Sequence, residues 1–168
     1  MRYIAGIFAL IIYLPILFLI TQKDFRSRFS KINSKGFDLI IESLIGILYF
    51  VVIFYSFFVS VKLNFFLIIG ILIYFPALFL TYRGYFVFYK SKGLITQDIY
   101  SISRNPTYFF GFVSILGIAL MNLSWEISIL LVLLFLLTHR IVLNEEKYLG
   151  KKYGRKYLDY KKRVGRWI

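Results

Sequence analysis

The sequence predicts an all-α integral membrane protein: about five transmembrane helices followed by an amphipathic helix on the cytoplasmic side. Three observations predict it. Of the 168 residues 60% are hydrophobic, with a mean hydropathy of +0.74, whereas a soluble domain averages roughly 45–50% apolar residues. Five apolar stretches (Tyr3–Ile20, Phe37–Ser60, Leu63–Leu80, Thr107–Leu123 and Trp125–Leu143) come close to the ~20 residues that cross a hydrocarbon core about 30 Å thick. And 19 of the 21 Lys and Arg residues fall on one set of alternate segments.

The first stretch has no small-x-small cleavage site and runs directly into Thr21-Gln22-Lys23. It reads as a retained helix rather than a signal peptide. The connection after it carries Lys23, Arg26, Arg28, Lys31 and Lys35. Short links near Ser60–Leu63 and at Leu123-Ser124 make helical hairpins of the second and third spans and of the fourth and fifth. Pro15 and Pro76 lie inside spans, where neighbouring helices re-satisfy the freed carbonyl. The third connection, Thr81 to Asn105, is long for a bundle turn, and loops of that length are often functional. It brings four more basic residues, and the chain from Arg140 onward brings ten. The asymmetry puts the N-terminus outside and the C-terminus in the cytoplasm, which requires an odd number of spans. From Asn144 to Val164, Tyr148, Leu149, Tyr153, Tyr157, Tyr160 and Val164 recur at helical spacing among Lys and Arg. That pattern predicts a helix lying along the cytoplasmic surface. Residues 1–168 read as one membrane-embedded domain, with 1–80 as a three-helix part.

Composition narrows the chemistry. The absence of Cys excludes thiolate metal sites and a Cys nucleophile, and a lone His139 leaves no His-based metal site. The net charge of +13 sits between and after apolar spans, a cytoplasmic-face bias rather than a nucleic-acid footprint. The hairpin joining the last two spans returns the chain to the side it left. Arg104-Asn105-Pro106-Thr107-Tyr108 before it and Glu145-Glu146 after it are therefore expected at one membrane surface. Pro106 suits a first helical position, and a helix N-terminus presents free N–H groups. Glu145 and Glu146 point about 100° apart on a helix; one faces inward, or both solvate the neighbouring lysines. Glu42, inside the second span, is either functional or a snorkelling carboxylate. Gly111, Ser114 and Gly117 form a small-residue face for close helix packing. His139 and Arg140 close the fifth helix.

Taken in order, Gly93-Leu94-Ile95-Thr96, Tyr100, Ser103 through Gly111, Asn144-Glu145-Glu146-Lys147-Tyr148-Leu149, Tyr153-Gly154, Tyr157, Tyr160 and Lys162 through Trp167 resemble the isoprenylcysteine carboxyl methyltransferase family. Phospholipid N-methyltransferases belong to the same broad group. The similarity covers roughly residues 81–168. Asn105 stands where the family has His; it keeps hydrogen bonding but cannot carry charge. The resemblance implies S-adenosylmethionine in a cytoplasmic pocket lined by Leu94, Tyr100, Arg104, Asn105, Pro106 and Tyr108 on one side and by His139 and Glu145 on the other. It also implies a lipophilic acceptor entering laterally from the bilayer. Methyl transfer from a sulfonium needs positioning and exclusion of water rather than an enzyme nucleophile or a metal. Arg140 or Arg166 would orient a carboxylate acceptor; Glu145 or Glu146 would take the proton of an amine. Two other classes compete: an NADPH-dependent membrane reductase of the sterol type, and a non-enzymatic membrane protein whose basic tail binds anionic lipid.

Overall fold

The computed structural model describes residues 4–21, 36–61 and 63–168, and every regular element among them is helical. They are α1 (Ile4–Thr21), α2 (Phe37–Ser56), α3 (Phe65–Lys90), a short 3₁₀ turn (Asp98–Ser101), α4 (Pro106–Asn122), α5 (Trp125–Tyr153) and α6 (Arg155–Arg163). The basic residues from Lys23 to Lys35, with Arg2 and Lys62, lie outside the described residues. Helices α2, α3 and α5 are long and apolar enough to cross a membrane, and α4 is a shorter apolar helix. Leu39, Ile47 and Phe54 on α2, Leu72 and Phe79 on α3, and Val132 and Leu136 on α5 all point outward, as they do where lipid is the neighbour.

Local chemistry sets the helix ends. Asn64 caps α3 by accepting from the Leu67 N–H at 3.0 Å, and Ser124 caps α5 by accepting from the Ile127 N–H at 3.2 Å. Between α4 and α5 the chain turns on Leu123, in the left-handed region at φ 49°. That hairpin is as tight as the sequence predicts. The α2–α3 link is longer, because α2 stops at Ser56 and closes with turns through Phe57 and Phe58.

Helix α4 is the centre of the bundle. Its Phe112, Ile115, Ile118, Ala119 and Met121 share one buried core with Ala5, Ala9 and Ile12 of α1 and Tyr74 and Leu78 of α3. The Tyr74 hydroxyl donates to the Phe8 carbonyl at 2.6 Å, and that of Tyr82 donates to Ile11, tying α1 to α3. Where α3 crosses α4, the two backbones touch. A Cβ on Gly70 would lie 2.6 Å from the Gly117 carbonyl oxygen, and one on Gly117 would lie 2.9 Å from that of Gly70. Gly117 is thus a packing residue, whereas a Cβ on Gly111 would meet no described atom within 4 Å.

Two helices run ten residues past the apolar stretches that predicted them: α3 ends at Lys90 instead of Leu80, and α5 at Tyr153 instead of Leu143. Each overrun extends the helix by about 15 Å, and both occur at the end of the bundle where α4 begins. Hydropathy falls there, but neither decapeptide contains Pro, so nothing stops the helix. The amphipathic helix expected over Asn144–Val164 is instead broken in two. Gly154 takes φ 53°, ψ −128°, a region that only glycine enters readily. The chain reverses there, and α6 returns along α5, with Tyr157 beside Gly150 and Lys161 beside Glu146. The buried face of α6, Tyr157 and Tyr160, therefore packs on protein rather than on a lipid surface.

Candidate active site

The two overruns and the returning α6 enclose a cleft of about 170 Å³. Tyr85 and Phe88 of α3 form one wall and Leu94, Ile95 and Tyr100 of the next connection another. Arg104, Asn105, Thr107 and Tyr108 at the start of α4 line it, as do Glu145, Glu146 and Leu149 of α5 and Tyr157 and Tyr160 of α6.

The connection between α3 and α4 is pinned at both ends. Arg83 grips Asp98 through Nε and Nη2, one edge of its guanidinium, and Asp98 Oδ1 also accepts from the Ile99 N–H at 2.7 Å. The bonds from Arg83 hold the Asp98 carboxyl below its usual range. Further on, the Tyr160 hydroxyl donates to the Tyr100 carbonyl at 2.6 Å. Ser103 Oγ accepts from the Asn105 N–H at 3.0 Å, and Pro106 then opens α4.

Glu145 and Glu146 have separate surroundings. Glu146 is buried and holds three cations: Arg104 Nη2 at 2.9 Å from Oε1, Arg166 Nε at 2.9 Å from the same oxygen, and Lys161 Nζ at 3.6 Å from Oε2. Arg166 Nη2 completes a bidentate pair at 3.0 Å. Arg104 also donates through Nη1 to the Lys161 carbonyl at 3.1 Å. Glu145, half-buried, accepts from the Tyr108 hydroxyl at 3.2 Å. No basic side chain among the described residues forms an ion pair with it. Two buried donors in the cleft lack partners among the described residues: Arg104 Nε and the Tyr157 hydroxyl. Burial pushes that hydroxyl up to about 12, so Tyr157 stays protonated and can donate.

Of the residues singled out from the sequence, Leu94, Tyr100, Arg104, Asn105, Tyr108, Glu145 and Glu146 come together around the cleft. Pro106 is buried beside them at the helix start. Arg166 stands behind Glu146, outside the cleft lining. His139 lies against the rings of Phe135 and Trp167, at 6.1 Å and 5.9 Å between centroids. Arg140 is half-exposed, 3.7 Å from Asp38 of α2 and over the Phe37 ring. Glu42 is exposed on α2 but near enough for its charge to act on Glu145. Sequence reasoning did not assign Tyr85, Phe88, Tyr157 or Tyr160 to the site. Their signal was present as aromatic residues three apart in segments too polar to sit in lipid.

A family model described as phospholipid methyltransferase matches residues 61–156. The chain belongs to the phospholipid methyltransferase family. The matched span runs from the start of α3 to the first turn of α6, and so contains the overruns and all of the cleft lining except Tyr157 and Tyr160. The nickel-cobalt-cadmium resistance protein NccN of Alcaligenes xylosoxydans xylosoxydans is 34% identical over 75 residues, 45% of this chain. The match spans 35%, about a third, of that protein's length. No solved structure matches the chain.

Proposed function

We propose that this phospholipid methyltransferase family member transfers a methyl group from S-adenosylmethionine to a small lipophilic acceptor, a carboxylate or an amine, at the cytoplasmic face. The observation that carries the reading is Glu145, a carboxylate met by a phenol instead of a cation, set in a cleft walled by Tyr85, Phe88, Tyr100 and Tyr108. A sulfonium-bearing amino acid fits such a donor set: aromatic faces attract the positive sulfur, worth ~0.5–2 kcal/mol, and Glu145 accepts from ammonium or ribose hydroxyls. The unpartnered Arg104 Nε and Tyr157 hydroxyl are donors suited to a carboxylate.

When bound, S-adenosylmethionine supplies an electrophilic methyl carbon; the carbon–sulfur bond breaks as the new bond to oxygen or nitrogen forms, and sulfur leaves as a neutral thioether. The chain's own residues position the partners and exclude water. With an amine acceptor the ammonium proton must depart, and Glu145 is the base. Glu146 acts by fixing Arg104 and Arg166. Arg140, beside α2 at the lipid boundary, is placed to meet an acidic acceptor entering between α2 and α5, with His139 one residue away. In this reading α1 and α4 also span the bilayer, giving five spans with the N-terminus outside and the cleft in the cytoplasm.

The test is calorimetric titration of detergent-purified protein with S-adenosylhomocysteine and, separately, with NADPH. Saturable binding of the first alone is the expected result. Binding of NADPH alone would move the chain to the reductase class, and binding of neither would sink the cofactor assignment.

A further inference from the structure

Beyond Arg163 the chain dips back toward the bundle and is caught by the start of α4. The Arg104 N–H donates to the Gly165 carbonyl at 3.0 Å. Both Asn105 Nδ2, at 3.1 Å, and Ser103 Oγ, at 3.3 Å, donate to the carbonyl of Arg166. The next residue, Trp167, sits between helices: its ring centroid lies 6.1 Å from that of Phe112 on α4, 5.1 Å from Phe135 and 5.9 Å from His139 on α5. Between these two anchorages the Arg166 side chain leaves the segment and grips Glu146. Oε1 of Glu146 is shared between Arg166 and Arg104, each at 2.9 Å.

The contacts close a ring. Arg104 is held by Glu146, Glu146 by Arg166, and the Arg166 backbone by Asn105, the neighbour of Arg104. Every link is a hydrogen bond or ion pair of 3.1 Å or less. We infer that Asn105 and Trp167 are positioning residues: they seat Arg166, which through Glu146 aims the Arg104 guanidinium into the cleft. Asn105 serves here through its amide N–H alone, which accounts for an uncharged side chain at a position where proton transfer would need an ionisable one. Opened at Asn105 or Trp167, the ring still leaves Arg104 its pair with Glu146 and its bond to the Lys161 carbonyl, but Glu146 loses the seated Arg166 that orients it, and the long side chains regain rotamers.

The inference rests on the proposed reading of the cleft, in which Arg104 receives the ligand's carboxylate. The experiment titrates the detergent-purified full chain with S-adenosylhomocysteine and with methylthioadenosine, which lacks the amino-acid end. Asn105→Ala and Trp167→Ala are each expected to weaken S-adenosylhomocysteine about tenfold and to leave methylthioadenosine unchanged. The double variant should be no weaker than the worse single one, because both open the same ring. Asn105→His should restore affinity, since an imidazole N–H reaches the same carbonyl. Trp125→Ala, at the opposite end of α5 and 68% exposed, should bind as the wild type does. If Trp167→Ala does not fold, Asn105→Ala with an unchanged melting temperature decides the matter. Wild-type binding with both ligands unaffected by either variant, or weakened alike, would overturn the inference alone. Absence of wild-type binding would overturn the cofactor reading and the inference with it.

Discussion

Replacing Glu146 with alanine removes the one anion shared by Arg104, Arg166 and Lys161. The three cations lose unequally, because their exposure differs. Lys161 and Arg166 have side chains 46% and 26% exposed, so water recovers much of what they lose. The Arg104 side chain is 6% exposed and would be left charged and unpaired. Removing one partner of a buried pair costs about 3–5 kcal/mol for that reason. Glu145→Ala, by contrast, removes a carboxylate that accepts from the Tyr108 hydroxyl, a loss of about 1–2 kcal/mol. Thermal unfolding in detergent should therefore show a Tm drop of about 10 °C for Glu146→Ala and a few degrees for Glu145→Ala. Binding of S-adenosylhomocysteine at a temperature where both variants are folded should be weakened strongly by Glu145→Ala. Equal Tm losses, or the larger loss from Glu145, would refute the division of labour between the adjacent glutamates.

Gly117→Ala should destabilise by about 1–3 kcal/mol, since the new methyl meets the Gly70 carbonyl oxygen at 2.9 Å and backbone must move. Gly111→Ala, with no described atom within 4 Å of its Cβ, should be neutral or stabilising by about 0.5–1 kcal/mol through helix propensity; chemical denaturation of the pair checks both. Acid should loosen the connection before α4. The Asp98 carboxyl is depressed in the folded chain, so its contribution is complete above the ordinary value of 3.8 and is lost as pH falls through the lower folded one. Hydrogen exchange at Ile99 should rise over that interval in the wild type, and Asp98→Asn should exchange fast at every pH.

Much of the bundle could be read from hydropathy, because crossing a bilayer demands uninterrupted apolar residues. The runs beginning at Phe37, Thr107 and Trp125 start within one residue of α2, α4 and α5. Helix ends on the side of the bundle where α4 begins could not be read that way. Whether Thr81–Lys90 stays helical depends on the absence of a breaker and on the fit of Gly84 against Thr107, where a Cβ would come within 2.8 Å, and apolar content reports neither. The same holds for Gly154: a periodicity count passes through it, and only its positive φ turns one expected helix into two. At the site, the juxtaposition of Arg104 and Tyr108 with the two glutamates followed from the α4–α5 hairpin. The pairing of Glu146 did not, because it is completed by Arg166 and Lys161, which only the reversal at Gly154 brings back. His139 illustrates the same point: its neighbour Trp167 is 28 positions away and arrives through that reversal.

The contact between Gly70 and Gly117 also equips the molecule with an internal ruler. Two helices whose main chains rest against each other have little freedom to slide, so paired spin labels on Leu72 and Leu116, which are 67% and 39% exposed, should report one sharp separation under all conditions. Against that fixed baseline a third label on Phe54 or Leu158, 57% and 52% exposed, turns any broadening or shift into a direct measure of how far α2 or α6 travels when a ligand arrives.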